Sequence, residues 1–366
     1  MMKMSPQEPN DLSAKWYRQS GFTLLELLVS TAILGIIVTL VVGVIASTQD
    51  AWIKSKSRVD QFRDARLAFE LITRNLAQAD LNTYYDYGQT YYAEDTNVRT
   101  APASYTRESE LQFLTGRTAT LLNALPGVTP VTHMALFYAP LGYVQDNTLR
   151  PLNALLNARG YYVAWGDDAA LRPQFLGGAT PLPNFPLKHR FRLMEYIPPS
   201  EQIGVYDVAA PGKAPDIAWF NTPDFAANSR PVADNIVALI LSPRETPDTA
   251  AFSSLNQSRS SHISPEYHYD STQATNDGSS LVTSNLLPPL VMVTLVAIDE
   301  ASARRMEATN GGITTIPSLV DDVLWFRSVD SYETDLSSLT DQLQAQNLNY
   351  RVFSATVPIR SAKWSP

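Results

Sequence analysis

The residues with the most distinctive chemistry lie near the start of the chain, in the run Gly21–Glu26 (GFTLLE) and the apolar stretch Leu27–Ala46 after it. Glu26 is a single carboxylate at the edge of a segment that otherwise has the composition of a membrane helix. Such a group costs about 2.5–3.5 kcal/mol at the centre of a membrane span and less near its end. We therefore expect Glu26 to be functional, with the α-amino group of Phe22 as its partner if the chain is cut after Gly21.

Three simpler interpretations of this segment fit less well. A secretory signal peptide has a short apolar core followed by a cleavage site of small residues. The apolar run here has the length of a bilayer-spanning helix, about 20 residues, whereas buried core helices account for apolar runs of about 10–14 residues. A plain signal anchor fits the length but gives Glu26 no role. In a monomer, the carboxylate of Glu26 could simply extend to the lipid headgroups.

The run Gly21–Glu26 resembles the processing site of type IV prepilins and type II secretion pseudopilins. The resemblance implies that a prepilin peptidase in the membrane cuts between Gly21 and Phe22 and methylates the new terminal amine of Phe22. It also implies that Glu26 pairs with the terminal amine of a neighbouring pilin-like subunit during assembly.

Further blocks of sequence extend the resemblance over nearly the whole chain, apart from residues 244–285. Together with the run Gly21–Glu26 they resemble the Verru_Chthon cassette protein C family, which consists of prepilin-type proteins of verrucomicrobial bacteria. The late order of apolar strand, acidic turn, helix and final strand is similar, more distantly, to J-type pseudopilins and W-type minor pilins. The blocks are Tyr161–Asp168 (YYVAWGDD), Arg190–Pro199 (RFRLMEYIPP), Ala233–Pro243 (ADNIVALILSP), Leu287–Ala303 (LPPLVMVTLVAIDEASA) and Arg351–Trp364 (RVFSATVPIRSAKW).

Acidic residues and histidines elsewhere give weaker candidates for metal sites. The segment His262–Asp270 (HISPEYHYD) holds the densest set of metal-ligand types, but its spacing matches no zinc-site pattern. The pairs Asp167-Asp168 and Asp321-Asp322 offer the oxygen ligands that calcium prefers, without the alternating pattern of a calcium loop. We expect a solvated loop and two turns at these places, and neither a metal nor another cofactor.

Motifs of the common enzyme classes do not occur in the sequence. The chain has no Gly-x-Ser-x-Gly, no His-Glu-x-x-His and no phosphate-binding glycine loop. Its four histidines and its lack of cysteine leave few candidates for a nucleophile or a general base. A membrane-anchored hydrolase is the least favoured hypothesis, and we expect that the protein is not an enzyme.

Composition limits the classes of partner for this 366-residue chain. The absence of cysteine excludes disulfides and thiolate metal sites. A domain of this size can still be stable outside the cytoplasm, because its core does not depend on crosslinks. The formal net charge is −8 at pH 7 and no long Lys/Arg cluster occurs, so we expect no nucleic-acid partner.

The element that carries Glu26 is predicted to be one long helix over residues 22–80, after a polar leader at residues 1–21. Residues 22–46 are almost wholly apolar and are predicted to span a membrane, whereas residues 47–80 are amphipathic. No proline interrupts the range 22–80, so nothing forces a break. An apolar stripe with alternating steps of three and four residues is predicted to pack against a β-sheet, and its members are Phe62, Ala65, Phe69, Ile72, Leu76 and Ala79.

Residues 81–366 are predicted to form a β-rich globular domain, which gives a pilin-like α+β fold with a mainly antiparallel sheet. The runs Asn235–Leu241 and Leu290–Ala297 are apolar nearly throughout and are predicted to be central strands. Residues 244–285 are poor in apolar side chains and are predicted to form a flexible surface insertion. The candidate strands are Leu111–Leu114, Met134–Tyr138, Tyr161–Trp165, Arg190–Tyr196, Ile236–Leu241, Val291–Ile298 and Val352–Ile359, and a helix is predicted over Tyr332–Asn347.

Two functional hypotheses follow from these features. The first is a minor pilin or pseudopilin, anchored in the inner membrane by one helix, with its globular domain in the periplasm or, after assembly, outside the cell. The flanking Lys and Arg residues do not favour a cytoplasmic N-terminus, so this orientation rests on the resemblance. The second is a membrane-anchored cell-surface binding module that does not polymerise and holds its partner through tyrosine-rich loops, since tyrosine is common at interfaces.

Overall fold

The computed structural model of the chain describes residues 23–87, 105–122, 128–173, 175, 187–203, 205, 220, 225–246, 263–273, 284–309, 319 and 325–363. Two compact units are distinguished, Met1–Lys56 and Ser57–Pro366. The leader at residues 1–21 and Phe22 lie outside the described residues, so the predicted cleavage site is known from its sequence alone.

Helix α1 runs without a break from Leu24 to Leu76, inside the predicted range of residues 22–80. A segment free of proline keeps every backbone donor of the helix ladder, which is why so long a helix can continue. A tight turn ends it: the N–H of Gln78 donates to the carbonyl of Asn75 at 3.1 Å, and the N–H of Ala79 donates to that of Leu76 at 3.0 Å. These bonds satisfy carbonyls that the end of a helix leaves free.

The predicted apolar stripe of α1 is confirmed within the unit Ser57–Pro366. Its side chains enter the main hydrophobic core, and Ala68 joins them on the same face. Burial of a helix face of this kind stabilises the fold by about 25 cal/mol per Å² of apolar surface removed from water. The buried members are Ala65, Ala68, Ile72, Leu76 and Ala79, and the half-buried members are Phe62 and Phe69.

The globular unit is built on antiparallel sheets, which confirms the predicted α+β class. Six strands form one sheet in the order β7-β6-β5-β4-β3-β9, three form a second in the order β11-β10-β8, and β1 pairs with β2. The strands are β1 Tyr84–Tyr87, β2 Tyr105–Glu108, β3 Leu114–Arg117, β4 Val128–Pro140, β5 Leu156–Gly166, β6 Arg190–Tyr196, β7 Ser229–Asp234, β8 Ile236–Arg244, β9 Tyr269–Asp270, β10 Leu290–Ile298 and β11 Tyr350–Pro358; the shorter helices are α2 Thr118–Leu121, α3 Glu300–Thr309 and α4 Tyr332–Ala345.

The predicted strand Leu111–Leu114 is wrong in its bounds, because β3 begins at Leu114. Phe113, just before it, is fully buried. Its N–H donates to the side-chain oxygen of Ser271 at 2.9 Å instead of to a neighbouring strand. The apolar run Leu111–Leu114 therefore predicted burial correctly. The N–H of Phe113, however, is bonded by the Ser271 side chain and not by the backbone of a paired strand.

Part of the predicted flexible insertion at residues 244–285 belongs to the core. Ile263 and Tyr267 are buried. Tyr269 and its neighbour Asp270 form β9, which pairs with β3. The prediction of a surface insertion is therefore wrong for the buried residues within 263–273, because a few large apolar side chains outweigh the polar composition around them.

A bulge at Thr132 and His133 in β4 joins the two larger sheets. Thr132 has a φ of 58°. Its side-chain oxygen accepts the N–H of Leu239 at 3.1 Å, and Nδ1 of His133 accepts the N–H of Leu241 at 3.3 Å. These bonds cover the outer edge of β8, so this strand is buried although it ends its sheet. The prediction of β8 as a central strand is wrong, whereas β10 is central as predicted.

The three-stranded sheet lies between two helices. Successive side chains of a strand point to opposite faces of the sheet. Phe353 of β11 packs against Phe69 of α1, with ring centroids 5.9 Å apart. The neighbouring Ser354 points to the other face, where its hydroxyl meets that of Thr294 at 3.1 Å and Thr294 in turn meets Tyr332 of α4 at 2.7 Å. Helix α4 was predicted over Tyr332–Asn347, and this prediction is confirmed to within two residues.

Candidate functional site at the start of helix α1

The first turn of α1 is closed by reciprocal hydrogen bonds between Thr23 and Glu26. The N–H of Glu26 donates to the Thr23 hydroxyl oxygen at 3.3 Å, and the N–H and hydroxyl of Thr23 each donate to the Glu26 carboxylate at 3.4 Å. This pattern is a capping box, in which two side chains satisfy donors that a helix start leaves free. All three distances are long for hydrogen bonds, so the carboxylate is held loosely.

Glu26 is the only charged residue of the segment Leu24–Ile45, which has a mean hydropathy of 2.7. Among the described residues, this is the one helix long and apolar enough to cross a membrane, judged by length and composition. All of its described side chains are exposed. A surface of this kind is unfavourable in water, where monomeric proteins rarely expose apolar patches larger than a few hundred Å². A cover of lipid or of other helices would remove this surface from water.

The few polar side chains of this segment are turned inward to their own helix. The hydroxyl of Ser30 donates to the carbonyl of Glu26 at 2.7 Å, and that of Thr39 donates to the carbonyl of Gly35 at 2.8 Å. The hydroxyl donors are thereby satisfied within the helix, as an apolar environment requires. A side chain added at Gly35 or Gly43 would meet nothing within 4 Å. The backbone is open at these points, as required for close approach of a second helix.

The second half of α1 is fixed to the larger sheet by a buried polar network. The side-chain amide of Asn75 donates to the hydroxyl of Tyr161 at 2.7 Å, and this hydroxyl donates to Glu195 at 2.8 Å. Glu195 also accepts from Arg159 at 2.6 Å and from Arg230 at 3.3 Å. Burial and the nearby Glu195 carboxylate raise the pKa of Tyr161, so its hydroxyl stays protonated. The network therefore couples α1 to three neighbouring strands, β5, β6 and β7.

The paired acids Asp167-Asp168 have structural roles, as expected for a turn. Asp167 accepts the N–H of Ala169 at 2.9 Å. Asp168 accepts the N–H of Lys188 at 2.9 Å and pairs with Arg172 at the same distance. The pair Asp321-Asp322 lies outside the described residues.

The described part of the segment His262–Asp270 is split between surface and core. Glu266 and His268 are exposed, whereas Asp270 is buried and accepts from Gln112 at 2.9 Å. His262 lies outside the described residues. No group of three or more potential metal ligands occurs within the described ranges.

Sequence reasoning missed two features of this site. The capping box was readable, because Thr23 and Glu26 have the spacing of that motif directly before an apolar run. The network around Tyr161 had no comparable signal, since its members come from four separate places in the chain.

The chain matches one family model, described as the prokaryotic N-terminal methylation motif, over residues 16–42. The matched segment includes Gly21, Phe22 and Glu26, and it ends inside the apolar half of α1. No curated protein and no solved structure matches the chain. The N-terminal segment thus has the sequence of a prepilin-type protein, in which a methylation motif leads directly into a helix able to anchor the chain in a membrane.

Proposed function

We propose that the protein is a structural subunit of a pilus- or secretion-type filament. A prepilin peptidase would cut between Gly21 and Phe22 and methylate the new terminal amine. The mature subunit would be anchored in the inner membrane by α1 and would then assemble with other pilin-like subunits through the same helix. The observation that carries this proposal is the methylation motif, which leads into an apolar helix whose described side chains are exposed.

Glu26 supplies the register of assembly in this proposal. A carboxylate among lipid tails is costly, and an ammonium partner offsets the cost. The terminal amine of Phe22 on a neighbouring subunit is such a partner, and a charge-assisted bond to it is stronger than the long bonds that Thr23 provides. The pair forms only when the incoming helix has the right height, so charge pairing selects the position of the subunit.

We infer further that the protein is a minor subunit, at the tip or in the priming complex. The unit Ser57–Pro366 is large for a repeated shaft subunit, where globular domains must pack side by side. A J- or W-like pseudopilin role and a place in the Verru_Chthon cassette protein C family rest on the sequence blocks described above. The globular unit would lie in the periplasm or outside the cell, and the protein would not be an enzyme.

The experiment that tests processing is intact-mass and N-terminal analysis of the protein from its native membrane. We expect a chain that starts at N-methylated Phe22. Replacing Gly21 with leucine should block cleavage, because a bulky side chain then occupies the position before the cut. Ser20→Ala is a matched control that should be processed normally. A wild-type chain that keeps residues 1–21 would contradict the proposal.

The second candidate function is a non-polymerising surface-binding module. The observation in its favour is the ribbon of β1 and β2, where Tyr84, Tyr85 and Tyr105 are 45%, 67% and 63% exposed. The guanidinium of Arg107 lies 5.7 Å from the Tyr85 ring centroid, so the surface combines aromatic and cationic groups. The two functions differ in their need for Glu26: Glu26→Ala should abolish assembly under the first and leave partner binding unchanged under the second.

A further inference from the structure

The three-stranded sheet ends in a long strand, β11, whose outer edge has no paired strand among the described residues. Its pairing with β10 is regular over all nine residues, from Tyr350 opposite Ile298 to Pro358 opposite Leu290, with no bulge. A plain edge of this length presents a row of backbone donors and acceptors that another strand can pair with.

The direction of each backbone group in β11 follows from the two bonds that flank the strand. The N–H of Ile359 donates to the carbonyl of Pro289, and the N–H of Asp299 donates to the carbonyl of Asn349. Hydrogen-bonded pairs alternate along an antiparallel ladder. The odd-numbered residues of β11 therefore bond to β10, and the even-numbered ones face outward. The outward residues are Tyr350, Val352, Ser354 and Thr356, and Pro358 ends the row because it has no N–H.

The other edges of the two larger sheets are protected, which sets β11 apart from them. The outer edge of β8 is covered by Thr132 and His133. Strand β7 has a register shift and contains Pro231, two devices that prevent strand addition. Strand β9 has only two residues, too few to pair with a long partner.

The side chains along β11 define the partner's chemistry. Arg351 is the only charged residue of the strand; it is exposed, and its guanidinium lies 5.5 Å from the Phe353 ring centroid. Phe353 is only partly covered by α1. A strand added beside β11 would place its alternate side chains next to these two groups. Apolar side chains would cover Phe353, and a carboxylate would pair with Arg351.

We propose that the free edge of β11 is a strand-addition site that binds an extended segment of another polypeptide, apolar at alternate positions and acidic beside Arg351. Four outward residues offer a backbone N–H and a carbonyl each, so main-chain bonding supplies affinity and the flanking side chains supply selectivity. This site goes beyond the proposed filament role, and its test does not depend on processing or assembly.

The test uses the full chain in detergent micelles and a fluorescein-labelled peptide of sequence Thr-Val-Thr-Val-Thr-Glu-Thr, blocked at its C-terminus. In the antiparallel orientation its two valines fall beside Ala355 and Phe353, and its glutamate falls beside Arg351. Fluorescence anisotropy should show saturable binding. The same peptide with N-methyl groups on its third and fifth residues cannot complete the ladder, and its affinity should be at least about tenfold lower.

Matched variants locate the site on the protein. Thr356→Pro removes one outward N–H, and an edge position tolerates proline without loss of the β10 ladder. We expect its affinity for the peptide to fall at least about tenfold, whereas Thr356→Ala keeps the N–H and should bind as the wild type does. Melting temperatures of both variants check folding, and Ser354→Pro with Ser354→Ala is the second pair if Thr356→Pro does not fold.

Three results would overturn the proposal. The first is absent binding to the wild type, or equal binding of the N-methylated peptide. The second is equally slow hydrogen exchange of the Val352 and Phe353 amides in the free protein, which would mean that the chain itself covers the edge. The third is a dimer in sedimentation that Thr356→Pro converts to a monomer, because the edge would then be occupied by a second copy.

Discussion

At the level of single residues, Glu26 combines a hydrogen-bonding role with a charge, and substitutions can separate the two. Glu26→Gln keeps a side chain that can complete the capping box with Thr23 but removes the charge. Thr23→Val removes the hydroxyl that caps the helix and leaves the charge. If the carboxylate acts by pairing with an amine, only the first substitution should abolish assembly.

The measurement is the fraction of protein recovered in sheared filaments relative to the membrane fraction. We expect a decrease of at least about tenfold for Glu26→Gln, which corresponds to about 1.4 kcal/mol. Thr23→Val and the neutral control Ser30→Ala should stay near the wild-type value. Normal assembly of Glu26→Gln would show that the carboxylate acts through the helix cap alone.

His133 gives the fold a predictable dependence on pH. Burial lowers its pKa to about 4, against the opposing effect of its bond to the carbonyl of Phe326. Nδ1 accepts from Leu241 and Nε2 contacts the Phe326 carbonyl at 3.1 Å, so the ring is neutral and carries its proton on Nε2. Protonation of Nδ1 would break the bond that covers the edge of β8.

The sign of this dependence follows from proton binding in the two states. Between the unfolded-state pKa of about 6.5 and the folded-state pKa of about 4, the unfolded chain binds a proton at His133 and the folded chain does not. Stability from this residue is therefore complete above pH 6.5 and is lost as the pH falls toward 4, by about 3 kcal/mol in all. Chemical unfolding of the full chain in detergent between pH 7 and 4 should show this slope.

His133→Asn should flatten that slope, because asparagine offers an acceptor without titrating in this range. His268→Asn changes an exposed histidine and is the control, with the pH dependence of the wild type. A slope that is the same in His133→Asn and in the wild type would assign the effect to other groups.

At the level of elements, the polar contact between α1 and the larger sheet passes through the hydroxyl of Tyr161. Tyr161→Phe would leave the amide of Asn75 and one oxygen of Glu195 short of a partner in the core. We expect a loss of about 1–3 kcal/mol in the free energy of unfolding. Tyr85→Phe removes an exposed hydroxyl and is the matched control, with an effect of less than about 0.5 kcal/mol. Thermal and chemical unfolding followed by tryptophan fluorescence would measure both.

Replacing Glu195 should be more damaging than replacing Tyr161. Glu195→Gln leaves the buried guanidinium of Arg159 without its counter-charge. Removing one partner of a buried ion pair costs about 3–5 kcal/mol. An effect of Glu195→Gln smaller than that of Tyr161→Phe would mean that water reaches the network.

The elements that the sequence predicted well are those in which one strong pattern decides the outcome. Helix α1 combines an apolar segment, a regular stripe and the absence of proline, and the structure follows it. Strand β6 has the predicted bounds Arg190–Tyr196, and β10 and β11 differ from prediction by at most two residues. The methylation motif, which carries Gly21 and Glu26, was readable because it is a contiguous run.

The elements that the sequence did not predict depend on partners far away in the chain. The positive φ of Thr132 is explained by a hydrogen bond to the other sheet: the side-chain oxygen of Thr132 accepts the N–H of Leu239 in β8. β-branched residues rarely adopt such a backbone conformation, so no local pattern favours it. Strand β9 forms because Tyr269 is buried beside β3. Helix α3 directly follows the buried strand β10, and its sequence lacks an apolar stripe as regular as that of α1.

At the level of the whole molecule, the chain should separate into parts at the boundary between its two units. The unit Ser57–Pro366 retains the buried half of α1, so its core stays complete when the preceding residues are removed. Deletion of residues 1–56 should therefore give a folded protein that needs no detergent. Deletion through Leu76 removes core side chains such as Ile72, and it should prevent folding.

Circular dichroism and gel filtration of the two deletion variants would check this expectation. A cooperative melting transition is expected for the first variant and none for the second. A folded second variant would mean that the sheets form a complete core without α1, contrary to the burial of Asn75 and Leu76.

The turn that ends α1 also determines where mechanical load would enter the globular unit. The carbonyl of Ala77 accepts the N–H of Arg360, two residues beyond β11, at 3.2 Å. If the protein is a filament subunit, tension would pass along the backbone of α1. It would then load the Arg360–Ala77 hydrogen bond and the Asn75–Tyr161 hydrogen bond. To pull the helix out, a force must break these two hydrogen bonds and remove several apolar side chains of α1 from the core at the same time. In the proposed filament, the globular unit should therefore stay attached to the second half of α1 under tension.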